Sequence, residues 1–429
     1  MIDEIQIKTD GKPISRICCG EGPEDILSCL EGYDSIYLIC DANVGEFAFT
    51  IARAIAWSER HGGEDRSEEH HCCHGTEADE HHCHNNNPGG DGHCCHGGEA
   101  GEHPCHHGEG HQADEGHHCC HGGGGCHRRS LTGGRLKSII GLHTSEAGKT
   151  METVTAICGR LLEDGVDRGA LLLAVGGGIT TDMAGFAASI YKRGIRFAYV
   201  PTTLLAQVDA AIGGKTGVNY QGYKNMIGVI RQPEFTFICP WPLVTLPRRD
   251  FLSGAAEMLK TFIIENRDGN YEKAVTLISC IASREYEDIV PLVQEDIPLL
   301  TTLINRAAAV KAGIVGRDQF ESGERRKLNL GHTFAHAIEK LSEGSFAHGE
   351  AVAAGIAKAA EIAGENALAE RLKADLKACG LPVECPYSMS EMADAISKDK
   401  KADNGTIRFI VPRSIGHVEE LPIKTEELI

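Results

Sequence analysis

Residues 58–130 constrain this chain most, because they are mainly Gly, His, Cys, Glu and Asp with almost no aliphatic side chains. A stretch with so little apolar surface cannot offset the entropy of ordering, so it is expected to be disordered without a ligand. Any core must come from the two flanks, with this segment lying between them as an insertion. It holds 17 of the chain's 22 His and 9 of its 18 Cys. Three blocks, His71-Cys72-Cys73-His74, His93-Cys94-Cys95-His96 and His118-Cys119-Cys120-His121, form an approximate repeat. Imidazole and thiolate together favour zinc, nickel or copper over magnesium or calcium. Neighbouring cysteines do not make a tidy tetrahedron, so several labile, interchangeable sites are expected here, apart from any catalytic centre.

The net charge of −19 argues against a nucleic-acid partner, and the insertion supplies about half of it. The first residues form no charged-then-apolar leader. No apolar run approaches the roughly 18 residues that suggest a membrane span, so a soluble cytoplasmic protein is the expectation. The cysteines outside the insertion are scattered and read as reduced thiols.

The flanks carry an α/β pattern. A short apolar run at 35–40 ends in Asp41, placed either to hold a nucleotide ribose or to cap the next helix. Beyond the insertion come Glu146 and Lys149, a helical run at 150–163 and an apolar strand at 170–175. Gly176-Gly177-Gly178 and Ile179-Thr180-Thr181-Asp182 then open a helix that runs to about residue 192. Strand, glycine turn and helix together present free N–H groups and a positive helix end to a pyrophosphate. Tight strand–helix packing also uses glycines, and the GxGxxG fingerprint is absent. Residues 201–225, PTTLLAQVDAAIGGKTGVNYQGYKN, crowd hydroxyls, amides and lysines around a glycine pair. That suits a turn-helix-turn wrapped around phosphate-bearing ligands.

After residue 240 apolar residues recur at helical spacing, giving expected helices at 253–265, 299–313, 332–341 and 349–367. The expected architecture is an α/β domain (1–57 and 131–239), the insertion (58–130), and a helical domain (240–429). Three stretches in the helical half carry metal-ligand types: Glu257, the pair His332 and His336, and His348. The pair are four apart and share a helix face. Two histidines and a carboxylate would leave zinc an open position for substrate, although each histidine alone could equally be an ordinary hydrogen-bonded residue.

Taken together, GGGITTDMAGF, YKRGIRFAYVPTTLLAQVDAAIGGKTGVN, YKNMIG, SGAAEMLK, LNLGHTFAHAIE and HGEAVAAG closely resemble the 3-dehydroquinate synthases of the sugar-phosphate cyclase superfamily. The motifs occur in the family's order over about 30–57 and 136–429, and the resemblance implies that the α/β domain is a Rossmann-like NAD-binding domain and the second an all-α metal- and substrate-binding domain. The resemblance implies conversion of 3-deoxy-D-arabino-heptulosonate 7-phosphate to 3-dehydroquinate, a step of the shikimate pathway. It proceeds by transient oxidation with NAD+, β-elimination of phosphate, re-reduction and aldol closure, with zinc or cobalt bound.

By resemblance the metal falls to Glu257, His332 and His348. NAD falls to Asp41, Glu146, Lys149, Gly178, Asp182, Thr202, Thr203, Lys215, Lys224 and Thr245. The phosphate pocket maps to Lys215, Asn225, His336 and a lysine of the DKK run, assigned as Lys400. Arg193 matches an arginine that the family supplies from the neighbouring subunit, which implies a homodimer. Lys311, Arg325 and Asn329 match groups around the carboxylate and hydroxyls, and Asp209 and Lys260 match polar residues near the metal. Thr181, Ala335 and Tyr223 stand where family members commonly have glycine, and Tyr223 bears on the local turn geometry. The alternatives are a related cyclase acting on a substrate without the carboxylate, a metal-dependent polyol dehydrogenase, or a metal-storage protein on the same scaffold.

Overall fold

The computed structural model describes residues 3–60, 131–285, 288–289, 292–399 and 406–428. Strands β1 (Asp3–Thr9) and β2 (Lys12–Cys19) lead through a helical turn, α1 (Ile26–Cys29), to β3 (Ile36–Asp41) and α2 (Gly45–Arg60). The chain resumes with β4 (Leu136–Leu142), α3 (Met151–Glu163), β5 (Leu171–Gly176), α4 (Gly178–Ile190) and β6 (Arg196–Pro201). The hairpin β7 (Lys215–Tyr220) and β8 (Tyr223–Ile230) follows, then β9 (Phe235–Ile238).

Seven strands form one sheet in the order β1-β2-β9-β6-β5-β3-β4, parallel except for the β1–β2 pair. Every residue of β3 and β5 is buried, which is why both read as continuous apolar runs. Alternate residues serve opposite faces. Tyr37, Ile39, Leu172 and Ala174 pack with Val154, Leu161 and Ala187 of α3 and α4, whereas Leu38, Leu171 and Leu173 pack with Ile51 and Ile55 of α2. From β3 the strand order runs one way to β4 and the other way to β5 and β6. That reversal opens a crevice at the carboxyl ends of β3 and β5, the usual ligand position in such sheets.

The second half contains α5 (Arg248–Ile264), α6 (Asn270–Ser283), α7 (Asp296–Arg317), α8 (His332–Leu341), α9 (His348–Ile362), α10 (Asn366–Ala378) and α11 (Met389–Asp399). It closes with a hairpin of β10 (Thr406–Ser414) and β11 (His417–Lys424), so an all-helical description omits one small sheet. The expected helix at 349–367 is two helices, because Gly364 adopts a left-handed φ of 77° after α9. α7 starts before Pro298, which is tolerated in a first turn. This helix is long and apolar enough to cross a membrane, yet its Leu303, Ile304 and Ala307 are packed into the helical core. Residues 61–130, with the disorder expected there, and Lys400 lie outside the described residues.

Candidate active site

The stretch 201–225 is not a turn-helix-turn. A π-helical turn, Ala206–Ala210, carries Asp209, and the chain then enters the β7–β8 hairpin. π-Helical turns often mark functional positions. The hairpin turns on Gln221 and Gly222, with φ of 48° and 81°. Positive φ at both central positions matches the tight turn that suits strand twist. Gly222 takes the strained position, so Tyr223 can begin β8 in extended form.

The crevice beyond the sheet gathers most of the nucleotide-matched residues. Asp41 ends β3, and its side chain accepts from the Asn43 N–H at 2.9 Å and from the Thr144 hydroxyl. The capping reading of Asp41 therefore holds in this structure. Gly178 opens α4, and Thr202 and Thr203 directly follow β6. Lys149 is buried, and its ammonium donates to Asp182 at 2.6 Å and Asn225 at 2.5 Å. Burial pushes the Asp182 carboxyl up to about 6 against the opposing pull of Lys149. Asn219 donates to the Glu146 carboxylate at 2.8 Å and accepts from the Asn225 N–H at 2.9 Å. Thr245 is exposed at the end of a 3₁₀ turn, Trp241–Thr245. Arg193 is also exposed and takes a left-handed φ of 67°.

The metal-ligand types meet where three helices converge. Glu257 of α5, His332 opening α8 and His348 opening α9 offer ligand atoms within 4.8 Å of one another. Glu257 is fully buried, with Oε1 at 3.1 Å from His348 Nε2 and 3.7 Å from His332 Nε2. His332 Nδ1 lies 3.2 Å from the Leu330 carbonyl, which as acceptor leaves the Nε2 lone pair facing the cluster. Burial, then the nearby Lys260 ammonium, lower His332 to about 3, so it is neutral and competent as a ligand. Burial opposes a proton on His348, but its bonds to Glu257 and Glu339 prevail and raise it to about 10. The surroundings that favour this extra positive charge also suit a divalent cation. Two neutral-capable imidazoles and one carboxylate therefore fit zinc or cobalt.

Buried charges surround the cluster. Lys260, on α5, lies 2.5 Å from Glu257 Oε2 and 3.9 Å from Asp209 Oδ1. Lys311 donates to the Asp209 carboxylate at 2.6 Å and to its carbonyl at 2.7 Å. Arg325, only 2% exposed, donates to the Gly213 carbonyl at 2.9 Å and the Gln319 carbonyl at 2.5 Å. Glu321 pairs with Lys215 and accepts from Asn329 at 2.7 Å, joining β7 to the loop before α8. His336 is exposed beside His332, with ring centroids 5.6 Å apart. Glu321 and Glu339 were not among the sequence candidates. Glu339 stands on the helix face of His332 and His336, seven and three residues on, a signal that helical spacing could have supplied. Glu321 carried no such signal.

Two family models match: the N-terminal part of 3-dehydroquinate synthase over residues 139–253, and its C-terminal part over residues 254–402. A 3-dehydroquinate synthase from a Picosynechococcus strain is 40% identical over 290 residues, covering 65% of this chain and 77% of that protein. Among solved structures, a 2-deoxy-scyllo-inosose synthase complexed with carbaglucose-6-phosphate, NAD+ and Co2+ superposes with a TM-score of 0.67 at 21% identity. That match covers 100% of this chain and 98% of the other. A 2-epi-5-epi-valiolone synthase from Streptomyces hygroscopicus, with NAD+ and Zn2+ bound, gives 0.69 at 22% identity, covering 96% of this chain and 94% of the other.

Proposed function

The chain belongs to the 3-dehydroquinate synthase family, and from that premise we propose how its own residues divide the work. The reaction is the family's: 3-deoxy-D-arabino-heptulosonate 7-phosphate gives 3-dehydroquinate and phosphate. The observation that carries the assignment of roles is the convergence of Glu257, His332 and His348 beside the Lys260–Asp209–Lys311 cluster. Glu257, His332 and His348 would hold a zinc or cobalt ion, which when bound would make a substrate hydroxyl more acidic. NAD+, when bound, would supply the hydride acceptor, and the residues that would hold it are Asp41, Glu146, Lys149, Gly178, Asp182, Thr202, Thr203, Lys215, Lys224 and Thr245.

Lys215, Asn225, His336 and Lys400 receive the phosphate, with Arg193 contributed by a second copy. Their donors and cations stabilise the charge that grows as the C–O bond to phosphate breaks. The departing phosphate itself can accept the neighbouring proton, so no strong protein base is required. Arg325, Asn329 and Lys311 orient the substrate carboxylate and hydroxyls, with the Lys311 ammonium held in place by Asp209. Lys260 and Asp209 balance the buried charge around the metal ligands. A related cyclase is the second reading, and Arg325 and Asn329 favour a carboxylate-bearing substrate over it. The domain division proposed is 1–57 with 131–239 for the nucleotide and 240–429 for metal and substrate.

A homodimer is proposed on two grounds. Arg193 is exposed, and the β7–β8 hairpin exposes the large apolar side chains of Tyr220, Tyr223, Met226 and Val229, which a partner surface could bury. Soluble reactants fit a cytoplasmic enzyme. One experiment tests both the activity and the assembly. Protein supplied with the heptulosonate phosphate, NAD+ and zinc is expected to release phosphate and form dehydroquinate in equal amounts, sedimenting as a dimer. Phosphate release without dehydroquinate overturns the substrate assignment, and a fully active monomer overturns the role of Arg193.

The insertion is proposed to hold additional labile zinc, nickel or copper ions and to buffer supply to the active site. The ground is its density of imidazoles and thiolates in the same chain as a metal-dependent fold. A chain lacking residues 61–129 is expected to lose activity at lower chelator concentration than the full chain. Superimposable chelator titrations would rule this out.

A further inference from the structure

We propose that Glu339 is the positioning residue that fixes His348 for metal binding. This rests on the assignment of Glu257, His332 and His348 as ligands.

The two histidines are held in different ways. His332 has its Nδ1 against the Leu330 carbonyl of the preceding loop, a neutral acceptor built into the backbone. His348 is the first residue of α9, so no preceding helical turn packs its ring, and its side chain is 34% exposed. The partner of its Nδ1 is the Glu339 carboxylate, 3.3 Å away, while its Nε2 lies 3.1 Å from Glu257. An Nδ1–H donating to Glu339 selects the tautomer whose Nε2 lone pair faces the other ligands. A carboxylate acceptor also raises the donor strength of the imidazole more than a carbonyl does.

Glu339 is suited to this task. It lies on α8, on the same helix face as His332, and its side chain is only 7% exposed. A carboxylate so placed needs a compensating cation to remain charged. Lys224, reaching from β8, donates to the same Oε1 at 2.9 Å. One oxygen thus joins a lysine of the nucleotide-side hairpin to a ligand of the metal cluster. The fold brings three separate elements, β8, α8 and the start of α9, to this atom. Core packing alone would not require that arrangement.

Equilibrium dialysis of metal-stripped full-length chains against buffered zinc tests the proposal. A His348→Ala chain defines the zinc held elsewhere in the protein. Above that baseline, Glu339→Gln is expected to bind zinc about 10- to 100-fold more weakly than the parent, with the thermal midpoint of the metal-free chain lowered no further than in Lys224→Gln, which breaks the same ion pair from its exposed end. Glu339→Asp, which keeps the charge, is expected to recover part of the loss. Zinc affinity of Glu339→Gln equal to the parent overturns the role of Glu339 while leaving the ligand assignment intact. Full zinc retention by His348→Ala overturns both. A thermal midpoint of metal-free Glu339→Gln far below that of Lys224→Gln, without rescue by Asp, marks the residue as structural and also overturns the proposal.

Discussion

Glu257→Gln is expected to lose the active-site metal and roughly three orders of magnitude in turnover. The substitution keeps the side-chain volume and removes one charge, so its effects are electrostatic. Glu257 is fully buried, and Lys260, 2.5 Å away, is buried with it. The parent balances the buried Glu257 and the partly buried Asp209 against two buried lysines, Lys260 and Lys311. With glutamine in place, two cations face one acid, and a divalent ion arriving there meets net repulsion. Loss of a metal that stabilises developing charge costs several kcal/mol, and each about 1.4 kcal/mol is tenfold in rate. Breaking a buried ion pair by removing one partner also costs about 3–5 kcal/mol of stability. Metal content of the purified chain, single-turnover rate and thermal midpoint should all fall together. A Glu257→Gln chain with parental zinc content and rate would remove Glu257 from the ligand set.

How far such a cluster can be read from sequence depends on the range of the interactions that build it. His332 and His336 share one short helix, so their common face follows from spacing, and α8 runs over the expected residues. The strand ending at Asp41 and the glycine turn opening α4 were legible for the same local reason. The meeting of Glu257 with His348 joins residues on two helices far apart in the chain, and spacing carries no information about it. There the resemblance to a family supplied what periodicity could not. Elements whose pattern is ambiguous were misread. The glycine- and lysine-rich run after Asp209 looks like a loop around a short helix, yet it pairs as a hairpin across β7 and β8. The β10–β11 hairpin contains Pro412, which weighs against a strand, but a two-stranded ribbon has free edges where proline is tolerated. The alanine-rich run after His348 reads as one helix because only Gly364 interrupts it.

Gly349→Ala is expected to damage the metal site without touching a ligand. Helices α5 and α9 carry Glu257 and His348, and their backbones come into close contact where Gly349 meets Ser253. A methyl group on Gly349 would lie 2.2 Å from the Ser253 carbonyl oxygen and 2.3 Å from its Cα. Both obstacles are backbone, so no side chain can swing aside and the helices must separate. The Gly349 N–H also donates to the Ser253 hydroxyl at 2.8 Å, a bond that separation would stretch or break. Overpacking of this kind costs about 1–3 kcal/mol. The displacement falls one residue from His348 and one helical turn from Glu257, so it is passed directly to the ligands. A misplacement of about 1 Å at a reacting centre can cost on the order of 10²-fold in rate, and a loss of that size is expected here. Gly159→Ala in α3 is the matching control, because nothing lies within 4 Å of its added methyl. An exposed helical glycine replaced by alanine should gain about 0.5–1 kcal/mol of stability at unchanged rate. Thermal denaturation and turnover at saturating zinc separate the two substitutions. If Gly349→Ala matched Gly159→Ala on both measures, the close contact of α5 and α9 would not be what sets the spacing of the ligands.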